Sequence, residues 1–165
     1  MNFGSIEYDY THVRVIHLPA YDNIPLKPNL VENPSFELDS QGWSGNPSIQ
    51  YGDYWRKEPG VPVAHYGQKY LSHDSKELSK TYQNIELQKG TYALRAYAYG
   101  KEYSFSNYIC LANARIGIPY SNDQTNPWKC VMQENIKIDY SGIYELSIIT
   151  SSPCHIDDVQ LIKVQ

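Results

Sequence analysis

Side chains alternate between the two faces of a β-strand, and residues 91–99 show that alternation plainly. Tyr92, Leu94, Ala96 and Ala98 form one apolar row, while Ala93, Arg95, Tyr97 and Tyr99 form the other. The first row predicts a core face. Similar short runs recur along the chain at residues 48–55, 61–66, 69–73, 81–87, 107–118, 128–138, 143–150 and 156–164. Gly, Pro, Asn and Ser punctuate them. A further strand is predicted over 29–38, entering a turn at Asn33-Pro34. No segment sustains a helical period, and the best helix candidate is one polar turn at 75–80. The expected fold is therefore all-β, a sandwich or barrel of antiparallel strands.

Gly90-Thr-Tyr-Ala-Leu94 and Gly142-Ile-Tyr-Glu-Leu146 share the pattern Gly-x-Tyr-x-Leu. They are expected to be equivalent strands, each leaving a glycine turn and burying its Tyr and Leu. Residues 1–28 differ from the rest. They hold one predicted strand at 13–18 and then Pro19, Pro25 and Pro28, which fits an extended arm. The division expected is an arm at 1–28 and one domain at 29–165.

The length of 165 residues suits a single domain with a real core. The net charge is −4 and the basic residues are scattered, which argues against nucleic acid and anionic membranes as partners. No apolar run approaches the roughly 20 residues of a membrane span, and the first ten residues lack the features of a secretion signal. Cys110, Cys130 and Cys154 match no zinc spacing and are read as small buried hydrophobes.

Tyrosine changes the picture. Sixteen tyrosines and three tryptophans accompany only three phenylalanines. A tyrosine ring is apolar with a polar tip, and suits a half-wet binding surface. Arg95, Tyr97 and Tyr99 form a strange solvent face unless something uses them. Sugars present flat CH faces ringed by hydroxyls, so rings that stack and polar groups that bond hydroxyls would together recognise a glycan. Tyr54, Trp55, Tyr103 and Trp128, near strand ends or in loops, are the candidates to complete that platform. The competing reading is that the arm or a second layer covers these rings.

Nothing proposes a reaction. Asp157 and Asp158 are neighbours and on a regular strand would face opposite ways. Asp39, Asp53 and Asp74 sit in turn contexts, the five histidines lack metal spacing, and no nucleophile elbow or phosphate loop is present.

The segment NLVENPSFELDSQGW, with Asn29, Leu30, Asn33, Phe36, Glu37, Gly42 and Trp43 in the matching positions, resembles the opening of carbohydrate-binding modules of the jelly-roll, galactose-binding-like type. The closing run His155-Ile-Asp-Asp-Val-Gln-Leu161 is similar to that family's last strand, and residues 82–94 look like its central hairpin. The resemblance implies a jelly-roll β-sandwich of two antiparallel sheets and a non-catalytic module for a polysaccharide or cell-surface glycan. It also implies a structural calcium, with Glu37 and Asp157 as the matching carboxylate ligands and backbone carbonyls near Lys69 completing the set. The alternative expectation is a structural bacteriophage virion protein, a tail or capsid-decorating component on the same fold. Its arm would grip neighbouring virion or enzyme domains. Either reading places the protein outside the cell or on a virion surface.

Overall fold

The computed structural model describes residues 27–52 and 63–165. The predicted arm, apart from Lys27 and Pro28, and the candidates Tyr54 and Trp55 lie outside the described residues. The described residues form ten strands: β1 (Ser44–Gly45), β2 (Ile49–Tyr51), β3 (Lys69–His73), β4 (Ser79–Leu87), β5 (Gly90–Gly100), β6 (Tyr108–Leu111), β7 (Ala114–Gly117), β8 (Lys129–Ile138), β9 (Gly142–Thr150) and β10 (Cys154–Lys163). They build two five-stranded antiparallel sheets of order β1-β4-β9-β6-β7 and β2-β3-β10-β5-β8. This is the expected all-β jelly-roll sandwich. Among the described residues no helix is long and apolar enough to cross a membrane.

The apolar rows of both sheets face each other. Tyr92, Leu94, Ala96 and Ala98 of β5 meet Ile85 and Leu87 of β4, Ile109 and Leu111 of β6, and Leu146 and Ile148 of β9 in one core. The two Gly-x-Tyr-x-Leu segments are β5 and β9, one in each sheet. Each Tyr donates its hydroxyl to the carbonyl four residues earlier, Tyr92 to Gln88 at 2.6 Å and Tyr144 to Tyr140 at 2.8 Å. The shared pattern thus encodes the same corner twice.

Three local expectations are corrected. Residues 29–38 are turns, because Asn33 and Phe36 take positive φ. The apolar residues of that segment still enter the core, with Phe36 fully buried 5.2 Å from Trp43. Asn29 explains its place in the opening motif. Its side chain takes the N–H of Leu161 and gives to the carbonyl of Val159, stitching the opening segment to β10. Residues 63–66 are irregular, not a strand, and 75–80 is a bend leading into β4, not a helical turn. The cysteines also divide: all three are free thiols, with Cys154 buried, Cys110 partly covered and Cys130 exposed.

Candidate functional site

The outer face of the β2-β3-β10-β5-β8 sheet carries the predicted platform. Arg95 and Tyr97 are half-exposed there. Tyr99 is only 6% exposed and Trp128 only 7%. With Ala64 and Tyr70 they form a second, smaller core, against which Tyr97 packs. The open platform expected of Arg95, Tyr97, Tyr99 and Trp128 is therefore corrected. The physical reason is that segment 63–68 crosses this face and roofs it.

That roof is held by charge-assisted hydrogen bonds. Asp157 Oδ2 accepts the backbone N–H groups of His65 and Tyr66 at 2.9 and 3.2 Å. Glu37 Oε1 accepts those of Gln68 and Lys69 at 2.9 and 3.0 Å. Asp158 Oδ2 lies 2.6 Å from His65 Nδ1. Trp128 donates its indole N–H to the Val63 carbonyl at 3.1 Å. The His65 ring then lies flat on Tyr97, with centroids 3.5 Å apart and planes 13° from parallel. On one side, Arg95 sits 5.7 Å from the Tyr97 ring centre and bonds Gln160.

A bulge makes this roof possible. The register of β10 against β5 shifts between Asp157 and Gln160, and Asp158 takes φ 51°. An extra residue breaks the alternation, so both adjacent aspartates serve segment 65–66 instead of facing opposite ways. Reading β10 as a regular strand missed this, and it missed His65 and His155 altogether. His155 is 1% exposed between Tyr70 and Tyr99, with ring centroids 5.0 and 4.9 Å away, and neither ring nitrogen has a hydrogen-bond partner. Burial first, with the Lys101 charge assisting and Asp74 opposing, pushes its imidazole down to about 4. Burial likewise pushes the Tyr70 hydroxyl up to about 12 and that of Tyr99 upward.

Glu37 and Asp157, the expected calcium ligands, meet the same segment from opposite ends of the chain. Among the described residues no group of three His, Cys, Asp or Glu side chains is arranged for a metal. Both carboxylates accept backbone N–H groups of segment 65–69. Glu37 Oε1 is taken by two amides, while its Oε2 accepts no hydrogen bond.

The last predicted residue, Tyr103, is 86% exposed in the loop after β5, its ring 4.4 Å from that of Tyr120 and tilted by 38°. It lies among the loops and outside the sheet face.

The outer face of the β1-β4-β9-β6-β7 sheet contrasts with this. Lys80, Asn84 and Glu86 of β4, Ile143 and Glu145 of β9, and Arg115 and Gly117 of β7 are exposed. Tyr82 and Tyr108 are half-buried on β4 and β6, either side of Ser147 and Ile149 on β9. Two strand spacings separate their strands, about 10 Å. The floor between them is Ser147, whose hydroxyl lies 3.1 Å from Cys110 Sγ. Lys80 sits 4.7 Å over the Tyr82 ring and reaches Glu145 at 2.7 Å, while Arg115 lies 3.7 Å over the Tyr108 ring. Two rings, hydroxyls, an amide and charges of both signs thus share one accessible surface. Sequence reading missed this face because it named β5 alone as the two-sided strand. The alternation of Lys80, Tyr82, Asn84 and Glu86 was the available signal.

No family model matches the chain, and none of the curated proteins does. Its fold is shared with solved structures. A family 16 carbohydrate-binding module is 17% identical, with 82% of this chain and 100% of that one covered at a TM-score of 0.60. The structure of TmCBM61 in complex with β-1,4-galactotriose is 18% identical over 82% of this chain and 98% of that one, at a TM-score of 0.59. The enzymatically active domain of tailspike protein 4 from bacteriophage CBA120 is 13% identical, with 82% of this chain and 21% of that one covered, at 0.53. The architecture is thus the jelly-roll β-sandwich of carbohydrate-binding modules.

Proposed function

We propose that this protein is a non-catalytic glycan-binding module whose ligand lies across the outer face of the β1-β4-β9-β6-β7 sheet. The observation that carries the reading is that half-exposed Tyr82 and Tyr108 stand with the exposed Asn84 and Glu145 on one face, either side of Ser147, where the opposite sheet buries Tyr70, Tyr99 and Trp128. Rings stack on sugar CH faces, and the polar groups bond hydroxyls. Lys80 and Glu145 form an exposed pair, worth about 1 kcal/mol or less, so a ligand displaces them at little cost. The fold shared with a module holding β-1,4-galactotriose supports a glycan as the partner class.

The test is a glycan array followed by titration of the hits. Wild type is expected to bind, and Tyr82→Ala and Tyr108→Ala to lose most of that affinity with the fold intact by circular dichroism. If those variants bind normally and Tyr97→Ala does not, the site returns to Arg95 and Tyr97. Both remain half-exposed and constitute the second reading. Binding to no glycan would remove the proposal. A place outside the cell or on a virion surface accords with this function. The fold shared with a phage tailspike domain supports the virion variant.

For the calcium, we propose that Glu37 and Asp157 hold the ion against segment 65–69. The support is that both carboxylates, from opposite ends of the chain, converge there.

A further inference from the structure

We infer that the ligand of the open face is an acidic glycan, and that Arg115 recognises its carboxylate; this rests on the glycan reading of that face. Arg115 is exposed, and its guanidinium lies 3.7 Å over the Tyr108 ring. Stacking fixes the plane of the group and leaves its edge of N–H donors directed away from the ring. A guanidinium at a structural position normally satisfies that edge with a carboxylate. Among the described residues this one makes a single long hydrogen bond, from Nη2 to the Phe105 carbonyl at 3.4 Å, and no carboxylate lies within salt-bridge distance. The other cation of the face is different: Lys80 is already paired with Glu145 at 2.7 Å. The unmatched positive charge is therefore local to the Tyr108 end.

That end also has room. Gly117 is the cross-strand partner of Tyr108 and lies two residues from Arg115 on the same face. A Cβ built on Gly117 meets nothing within 4 Å. A notch thus adjoins the ring, bounded by Tyr108 and Arg115. A planar carboxylate on a sugar ring suits it, since guanidinium and carboxylate match through two parallel hydrogen bonds. The protein's net charge of −4 disfavours anions at long range, so the attraction is short-ranged and needs this contact.

The experiment titrates the full chain against polygalacturonate and alginate, the neutral polymers galactan and xylan, and dextran sulfate, at low and at physiological salt. A uronate polymer is expected to bind about tenfold tighter than either neutral one at low salt, with the margin shrinking as salt rises. Arg115→Gln should reduce that margin to near parity, read as the ratio of uronate to neutral affinity within the same variant. Gly117→Asp, placed in open space and without backbone strain, should abolish uronate binding and leave the melting temperature unchanged. Neutral polymers binding as tightly as uronates, or a margin that survives Arg115→Gln, would overturn the inference while leaving the glycan reading in place. Dextran sulfate binding as tightly as the uronates would also overturn it, since charge alone would then suffice. Binding of none of the polymers removes the glycan reading with it.

Discussion

The two outer faces of the sandwich carry similar side chains to opposite ends. On the β2-β3-β10-β5-β8 sheet, Tyr70, Tyr99 and Trp128 are roofed by segment 63–68 and become a second core, with Tyr97 half-buried against it. On the β1-β4-β9-β6-β7 sheet, among the described residues, the charged heads of Lys80 and Arg115 lie over Tyr82 and Tyr108. The difference lies in what fastens the cover. The roof is tied by backbone amides to the buried Asp157 and to Glu37, whereas the open face is covered by long side chains with one exposed ion pair. An aromatic row is therefore buried where carboxylates hold a strap over it, and half-exposed where long side chains lie above it.

The largest expected effect tests that contrast directly. Trp128→Ala should lower the unfolding free energy in urea by about 3–5 kcal/mol, the usual cost of deleting a buried large aromatic. Tyr108→Ala should cost about 1 kcal/mol, as at partly exposed positions. Equal costs would break the distinction between the faces.

Next comes pH. His155 is held neutral in the fold, its imidazole pushed down to about 4 against an unfolded value near 6.5. The unfolded chain takes the proton first, so stability is complete above about pH 6.5 and falls as pH drops toward 4, below which this contribution is flat. The shift corresponds to about 3 kcal/mol. Asp74 acts in the same direction. Bonds to Lys101 and Ser72 outweigh its desolvation and hold its carboxyl below the usual range, so its contribution is also lost on acidification. His155→Leu should flatten the slope of stability between pH 6.5 and 4, measured by urea unfolding at a series of pH values. A slope unchanged in that variant would mean that His155 is not the group that titrates.

The alternation of β5, the paired Gly-x-Tyr-x-Leu corners and the opening and closing motifs made the sandwich legible, because those signals are local and repeat. The roof was not legible, for two physical reasons. A period-two pattern says that residues share a face, but not what lies above it, so the burial of Tyr99 depended on where residues 63–68 run. The bulge at Asp158 also has no sequence mark in the run Ile-Asp-Asp-Val, and it alone turns both aspartates toward one segment. Arg115 fell in the long stretch between Tyr99 and Trp128 that matched no motif, where the hairpin of β6 and β7 was unrecognised.

Calcium sharpens the account of the roof. At a calcium concentration of about 100 times its dissociation constant the ion should add about 2.7 kcal/mol, read as a rise in melting temperature that chelator reverses and Glu37→Gln abolishes. No change with either reagent would leave the roof fastened by the hydrogen bonds of Glu37, Asp157, Asp158 and Trp128 alone, without an ion.

The smallest effect is the most specific to the open face. Lys80 and Glu145 meet at 2.7 Å, but each side chain is roughly two-fifths exposed, at 45% and 39%. Solvent screens such a pair and ordering two long side chains offsets much of the attraction. A double-mutant cycle with Lys80→Ala and Glu145→Ala should therefore give a coupling of about 1 kcal/mol or less, falling with salt. The two positions touch, so any real bond between them must appear as non-additivity in that cycle. A coupling of several kcal/mol would mean that the cover of this face is fastened as firmly as the roof opposite. Tyr82 would then be sealed by Lys80, and a sugar would have to break a strong bond before reaching the ring. A weak coupling leaves the Tyr82 ring available at the cost of moving one solvated side chain, which is the condition that stacking on this face requires.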